Sequence, residues 1–202
     1  MKLHNYLEYV IGNKIAIGIL RALVKYRGKI YTIRGLAEDA GASHPEVSKT
    51  LDDLEKFGIV QIQPVGRAHQ ISLNEKSYVL NKIILPMLKA EEKTLDEVIS
   101  ILKVHLGKKR ITSAAIFGSV AAGKEQVDSD LDVLVLCDDF DYAISAISAA
   151  AEEVSLKFQT NLSHIVFSKS QFRSKGKNHP LVQSILDNHI LIYGKELTSI
   201  LK

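Results

Sequence analysis

Along Lys14–Tyr26 the apolar positions Ile15, Ile19, Leu20, Leu23 and Val24 fall three and four apart, which predicts a helix with one buried face. Gly28–Tyr31 has the length of a small strand, and Thr32 then stands where a cap would open a second helix over Ile33–Ala40. Gly41 ends that helix, because the residue just past a helix turns left-handed at least cost when it lacks a Cβ. Ser43-His44-Pro45-Glu46 combines an S-x-x-E capping box with proline in the first turn, so a third helix starts here. It buries Val47, Leu51, Leu54 and Phe57 and stops at Gly58. The pattern then changes from helical to alternating. Ile59–Gln63 and His69–Leu73 alternate apolar and polar residues about Pro64-Val65-Gly66-Arg67, which predicts a β-hairpin. Tyr78–Leu106 is helical again, with a break expected at Pro86 and an end at Gly107. Beyond it strand and helix signals take turns. Strands are predicted at Thr112–Phe117, Leu131–Cys137, Leu162–Phe167 and Ile190–Tyr193, and helices at Ala143–Lys157 and Leu181–Asn188.

This order predicts an α+β chain of two domains. Helix, helix, glycine turn, helix and hairpin make a winged helix-turn-helix in residues 1–77. Residues 78–107 read as a connecting helical segment, and 108–202 as a mixed α/β domain. The stretch LAEDAGASHPEVSKTLDDLEKFGIVQ (Leu36–Gln61) resembles the winged-helix families of prokaryotic transcription regulators. That resemblance implies a DNA duplex as partner. Ser43, His44, Glu46, Ser48 and Lys49 would meet base edges, and Arg67 and His69 in the hairpin would meet phosphate or the minor groove. Regulators of this kind pair to read two half-sites, so a homodimer is expected, with the apolar stripe of Tyr78–Leu106 as its surface. Charge adds little to this picture. Eleven Lys/Arg face eight Asp/Glu in residues 1–80, the rest is balanced, and the formal net charge is +3. The excess sits on the side where nucleic acid would bind.

Candidate chemistry concentrates in Ile116–Leu136, IFGSVAAGKEQVDSDLDVLVL. A strand, then Gly118-Ser119, then the small residues Val120-Ala121-Ala122 would present backbone N–H groups to a phosphate at a helix start. Asp130 and Asp132 stand two apart at the head of the next strand, so both side chains share one face and could share a hard cation such as Mg²⁺. Gly118-Ser119 followed by Asp130 and Asp132 resembles the signature of the nucleotidyltransferase superfamily of DNA polymerase beta, especially its minimal prokaryotic members, over about residues 95–197. The resemblance implies a nucleotidyltransferase fold, a mixed sheet with helices. It implies Gly118 and Ser119 at the phosphates of an NTP, and Asp130 and Asp132 as catalytic metal ligands. Two departures stand out. Ser163, beside His164, aligns where the family carries a third carboxylate, and Ala122 stands where many members have arginine.

The expected function is therefore a DNA-binding regulator whose second domain binds NTP and Mg²⁺. The alternative is an active nucleotidyltransferase that moves AMP from ATP to a protein or RNA hydroxyl. Minimal members of the family often act beside a small helical toxin, so an antitoxin-like partnership belongs with that alternative. Other features read as ordinary structure. Asp128 belongs to a solvated loop, and Arg173–Lys177 and Lys108–Arg110 to solvated basic connections. His105 and His164 are lone histidines, and Cys137, the single cysteine, cannot form an intramolecular disulfide and reads as an inert thiol. No apolar run approaches the roughly 20 residues that cross a bilayer. Met1–Val10, with Lys2, His4 and Glu8, lacks the core of a signal peptide, so a cytoplasmic protein without a membrane partner is expected.

Overall fold

Capping chemistry sets the helices of the first part of the chain. In the computed structural model, which describes residues 7–66 and 68–201, the Asn13 side chain accepts the N–H groups of Ile15 and Ala16 and opens α2 (Lys14–Lys25). A short α1 (Leu7–Val10) precedes it. Thr32 caps α3 (Ile33–Ala40), and Gly41, at φ 63°, closes it in the left-handed conformation. Ser43 and Glu46 form the capping box of α4 (His44–Lys56), with proline in its first turn as the sequence predicts. The apolar stripes of these helices meet in one core. Ile19, Leu20 and Leu23 of α2, Leu36 of α3, and Val47, Leu51 and Leu54 of α4 are all buried there.

Strands β1 (Val60–Val65) and β2 (Ala68–Leu73) form an antiparallel hairpin, from Val60 opposite Leu73 to Val65 opposite Ala68. Tyr31 adds a bridge to Ile71. The small strand expected at Gly28–Tyr31 thus shrinks to one residue, because Tyr26–Gly28 are spent in the turn that leaves α2. After the hairpin come a π-helical turn at Leu80–Ile84 and α5 (Leu85–Glu92). The helix break expected at Pro86 does not occur there. Proline lacks an N–H and crowds the turn before it; the widened turn, closed by Leu85 N–H to Leu80 O, carries the chain past it in helical form. The break falls at Lys93 instead. The chain divides into two compact units between Lys93 and Thr94, inside the segment 78–107.

The second unit opens with α6 (Thr94–Leu106) and β3 (Ile111–Phe117). A single turn α7 (Gly118–Ala121), β4 (Leu131–Cys137), α8 (Phe140–Phe158) and β5 (Leu162–Phe167) follow. The chain ends with α9 (Lys169–Lys175), α10 (Pro180–Asp187), β6 (Ile190–Gly194) and α11 (Leu197–Ile200). The sheet order is β5-β4-β3-β6. Strand β4 runs parallel to β5, with α8 as the crossover, and β3 runs antiparallel to both β4 and β6. The sheet is mixed, as expected, and both faces are covered. Val133 and Val135 pack with Leu102, Ile147 and Val154. Leu134 and Leu136 pack with Phe172, Val182, Ile185 and Leu197. A continuous apolar strand such as LDVLVLC is what a strand buried on both faces requires.

The basic stretch Arg173–Lys177 is not simply a loop. Arg173 and Lys175 lie in the last turn of α9, and the Arg173 guanidinium donates to the Ile200 carbonyl at 2.7 Å. Phe172 holds that helix down, fully buried, and a single apolar anchor in seven residues gives no periodicity to read. Among the described residues no helix is long and apolar enough to cross a membrane. The core of the first unit can be weighed directly. Leu51 is 1% exposed, so Leu51→Ala should lower stability by about 2–5 kcal/mol in urea unfolding followed by circular dichroism.

Candidate functional site

The pairing of β3 with β4 sets Phe117 opposite Asp132, and the parallel pairing of β4 with β5 sets Ser163 beside it. Three strands therefore bring the end of β3, the start of β4 and the start of β5 together at one edge of the sheet. Side chains alternate along a strand, so Asp132 shares the face of Leu134 and Leu136, just outside the core that those two residues fill. Asp130, two residues earlier and exposed, precedes the strand on the same side.

The backbone at Gly118 is shaped around Asp132. Its φ is +74°, a region L-residues with side chains rarely adopt, and a Cβ there would lie 2.2 Å from Asp132 Oδ2 and 3.1 Å from its Cγ. The carboxylate fills the space a side chain would need. Gly118 thus has a reason beyond the approach of a phosphate: it lets Asp132 sit against the β3–α7 turn. The chain then makes one helical turn, closed by Ala122 N–H to Gly118 O and Lys124 N–H to Ser119 O. The helix start expected after Gly118-Ser119 is this single turn, which Gly123, at φ 63°, ends. First-turn amides of such a segment find no acceptor inside it.

Burial raises the Asp132 pKa above the usual carboxylate range. The Ser163 hydroxyl, hydrogen-bonded to Asp132, opposes that shift, and the nearby Asp130 charge adds to it. Between Lys124 and Ser129 the chain is held by reciprocal bonds of Gln126 and Ser129: Ser129 Oγ accepts Gln126 N–H at 2.8 Å, and Ser129 N–H reaches Gln126 O. Asp128 is exposed in this loop, apart from the paired carboxylates. His164 is exposed on β5, and by alternation it faces away from Asp132. His105 bonds Glu153 at 3.0 Å between α6 and α8, and Cys137 is buried with its thiol against the Arg110 and Asp139 carbonyls.

Among the described residues no group of three or more His, Cys, Asp or Glu is arranged to hold a metal. Two carboxylates do suit Mg²⁺, which commonly binds through one or two of them and completes its oxygen shell with water and the phosphates of its nucleotide. A cation there would also offset the cost of ionising the half-buried Asp132 beside Asp130.

In the first unit, the capping box occupies Ser43 and Glu46: the Ser43 N–H donates to the Glu46 carboxylate at 3.1 Å, and the Ser43 hydroxyl binds it too. His44 and Lys49 are exposed on α4. Ser48 and His69 line one cleft between α4 and the hairpin. Arg67 lies outside the described residues. One residue escaped the sequence reading: the Glu55 carboxylate accepts the Ile62 N–H at 3.0 Å, tying the end of α4 to β1. Its sequence signal, an acidic residue in a helix shortly before a strand, is too common to notice.

Residues 97–197 match the family described as Polymerase beta, Nucleotidyltransferase. A candidate protein adenylyltransferase of Methanocaldococcus jannaschii is 32% identical over 104 residues, which make up 51% of this chain and 98% of that relative. Among solved structures, a toxin–antitoxin with AMP-PNP aligns over 54% of this chain and 81% of its own, at 17% identity and a TM-score of 0.37. TrmBL2, an archaeal chromatin protein with a novel mode of DNA binding, aligns over 90% of this chain and 73% of its own, at 18% identity and a TM-score of 0.30. At those scores the structural likenesses carry no functional weight.

Two expected outcomes test the geometry. Gly118→Ala should cost about 1–3 kcal/mol from backbone strain alone and push Asp132 off the turn; thermal unfolding and the Asp132 carboxyl resonance would report both. The raised Asp132 pKa means that the folded chain holds this proton more tightly than the unfolded chain. Ionising it therefore costs stability, fully so above the raised pKa and not at all below the ordinary carboxylate value. Asp132→Asn should raise Tm at pH 7 without divalent cation, and the gain should shrink as pH falls toward the ordinary carboxylate range.

Proposed function

The chain belongs to the polymerase beta nucleotidyltransferase family, and on that footing we propose that its second unit transfers a nucleotidyl group, most simply AMP from ATP, to a protein or RNA hydroxyl. The observation that carries the reading is Asp132 fitted against the Gly118 turn, two residues from Asp130 and within the matched segment. Gly118 and Ser119 are the candidate phosphate contacts, their turn backbone offering amides and almost no side-chain bulk. Asp130 and Asp132 are the candidate ligands for Mg²⁺, which when bound would neutralise the triphosphate and favour departure of pyrophosphate. The name of the Methanocaldococcus jannaschii relative supports a protein as the acceptor.

In the transfer, the acceptor oxygen bonds the α-phosphorus, the bond to the β-phosphate oxygen breaks, and pyrophosphate leaves. The acceptor proton has few places to go. Ser163 occupies the β5 position beside Asp132, and a serine hydroxyl is no base at neutral pH. The proton must pass to Asp132, Asp130 or water. With both carboxylates committed to the cation, water is the proton acceptor that remains free. Ser163 contributes by holding Asp132 through its hydroxyl.

The first unit is a candidate winged helix-turn-helix, supported by helices α2, α3 and α4, the hairpin and the Tyr31 bridge that adds a third strand position. Its task in this reading is to recruit the acceptor.

Calorimetric titration of ATP, with and without Mg²⁺, into the wild type and Asp132→Ala tests the site. Mg²⁺-dependent binding that disappears in the variant is the expected result, and no binding of any ribonucleoside triphosphate by the wild type would sink the proposal. Protons compete with the cation for Asp132, so binding should weaken on acidification at a higher pH than an ordinary aspartate, with a pKa of about 3.9, would impose. Mass spectrometry of a supplied acceptor protein, seeking the addition of one AMP, then separates transfer from binding alone.

A further inference from the structure

Helix α4, the helix a winged helix-turn-helix lays into the major groove, is itself acidic. Its segment HPEVSKTLDDLEK holds Glu46, Asp52, Asp53 and Glu55 against Lys49 and Lys56. Phosphates brought against such a helix meet more repulsion than attraction, and no counterion release is gained from carboxylates. The same helix borders a cleft of about 360 Å³ between α4 and the hairpin. Ile33, Leu51, Ile62 and Pro64 give the cleft apolar walls, and Asp52 and Glu55 stand at its side, three residues apart on one helix face. Glu55 is fixed there by its bond from Ile62 N–H, which leaves its second oxygen free of any partner among the described residues. Asp52 has no ion pair among the described residues.

An apolar wall with two carboxylates at its rim matches a side chain that is aliphatic along its stem and cationic at its tip. We propose that the cleft between α4 and the β1–β2 hairpin docks a lysine- or arginine-bearing segment of a partner protein, with Asp52 and Glu55 receiving the cation. Arginine suits the site better than lysine, because its fork can meet both carboxylates while its stem lies along Ile62 and Pro64. The inference concerns the first unit alone and stands whether or not the second unit transfers nucleotides.

The test uses the full-length protein at about 150 mM salt and a fluorescein-labelled peptide, Gly-Leu-Arg-Leu-Arg-Gly, read by fluorescence anisotropy. The double variant Asp52→Asn, Glu55→Gln keeps the shape of both side chains and an acceptor for the Ile62 N–H. It should weaken binding by about five- to tenfold, the scale of two partly exposed ion pairs. Asp53→Asn with Glu38→Gln removes the same formal charge away from the cleft and should leave affinity unchanged. Equal losses in the two double variants, or no binding of the peptide to the wild type, would overturn the proposal. So would perturbation of the Ser48, Leu51 and Ile62 amides by a duplex of about twenty base pairs in place of the peptide, which would assign the cleft to DNA.

Discussion

The second unit is organised around a carboxylate that needs a glycine opposite it. Asp132 is the second residue of a strand whose next five residues are fully enclosed, so its own position is fixed by the packing of Val133 to Cys137. With the strand fixed, its carboxylate falls where a side chain on residue 118 would be, and only glycine lets the β3–α7 turn close over it. The turn residue, the acid and the strand register form one constraint. Ser163 enters it from β5, by pairing rather than by proximity in the chain.

That constraint has an electrostatic side. A half-buried carboxylate beside a second one is held above its usual pKa, which is a cost to the folded protein in the absence of a cation. In the proposed reaction a divalent ion at the two carboxylates would offset that cost.

The first unit shows a different balance. Its helices are defined by caps and by one shared apolar core, and these make the fold independent of what its surface carries. On that same scaffold α4 presents an acidic face and a cleft with apolar walls. The helical framework that resembles transcription regulators therefore says little about the partner. The exposed residues of α4 carry four carboxylates against two lysines.

Much of this architecture is legible in the residues themselves. The capping box at Ser43–Glu46, the stop at Gly41, the hairpin about Gly66 and the strands Leu131–Cys137 and Leu162–Phe167 all follow from local rules of spacing and turn chemistry. The association of Gly118-Ser119 with Asp130 and Asp132 comes instead from resemblance to a family signature, which is set by residue types at given distances along the chain. Other features depended on contacts between residues far apart in sequence. The helix that runs through Pro86, the anchoring of α9 by Phe172, the Glu55 bond to Ile62 and the closure of Gly118 over Asp132 all lie in that class. Local periodicity reports which face of an element is buried, and so the sequence determined the elements and the residue types available for chemistry. Which side chains meet is decided only when the core fixes register and distance, and so tertiary structure alone decided how Asp132, Gly118 and Ser163 form one site.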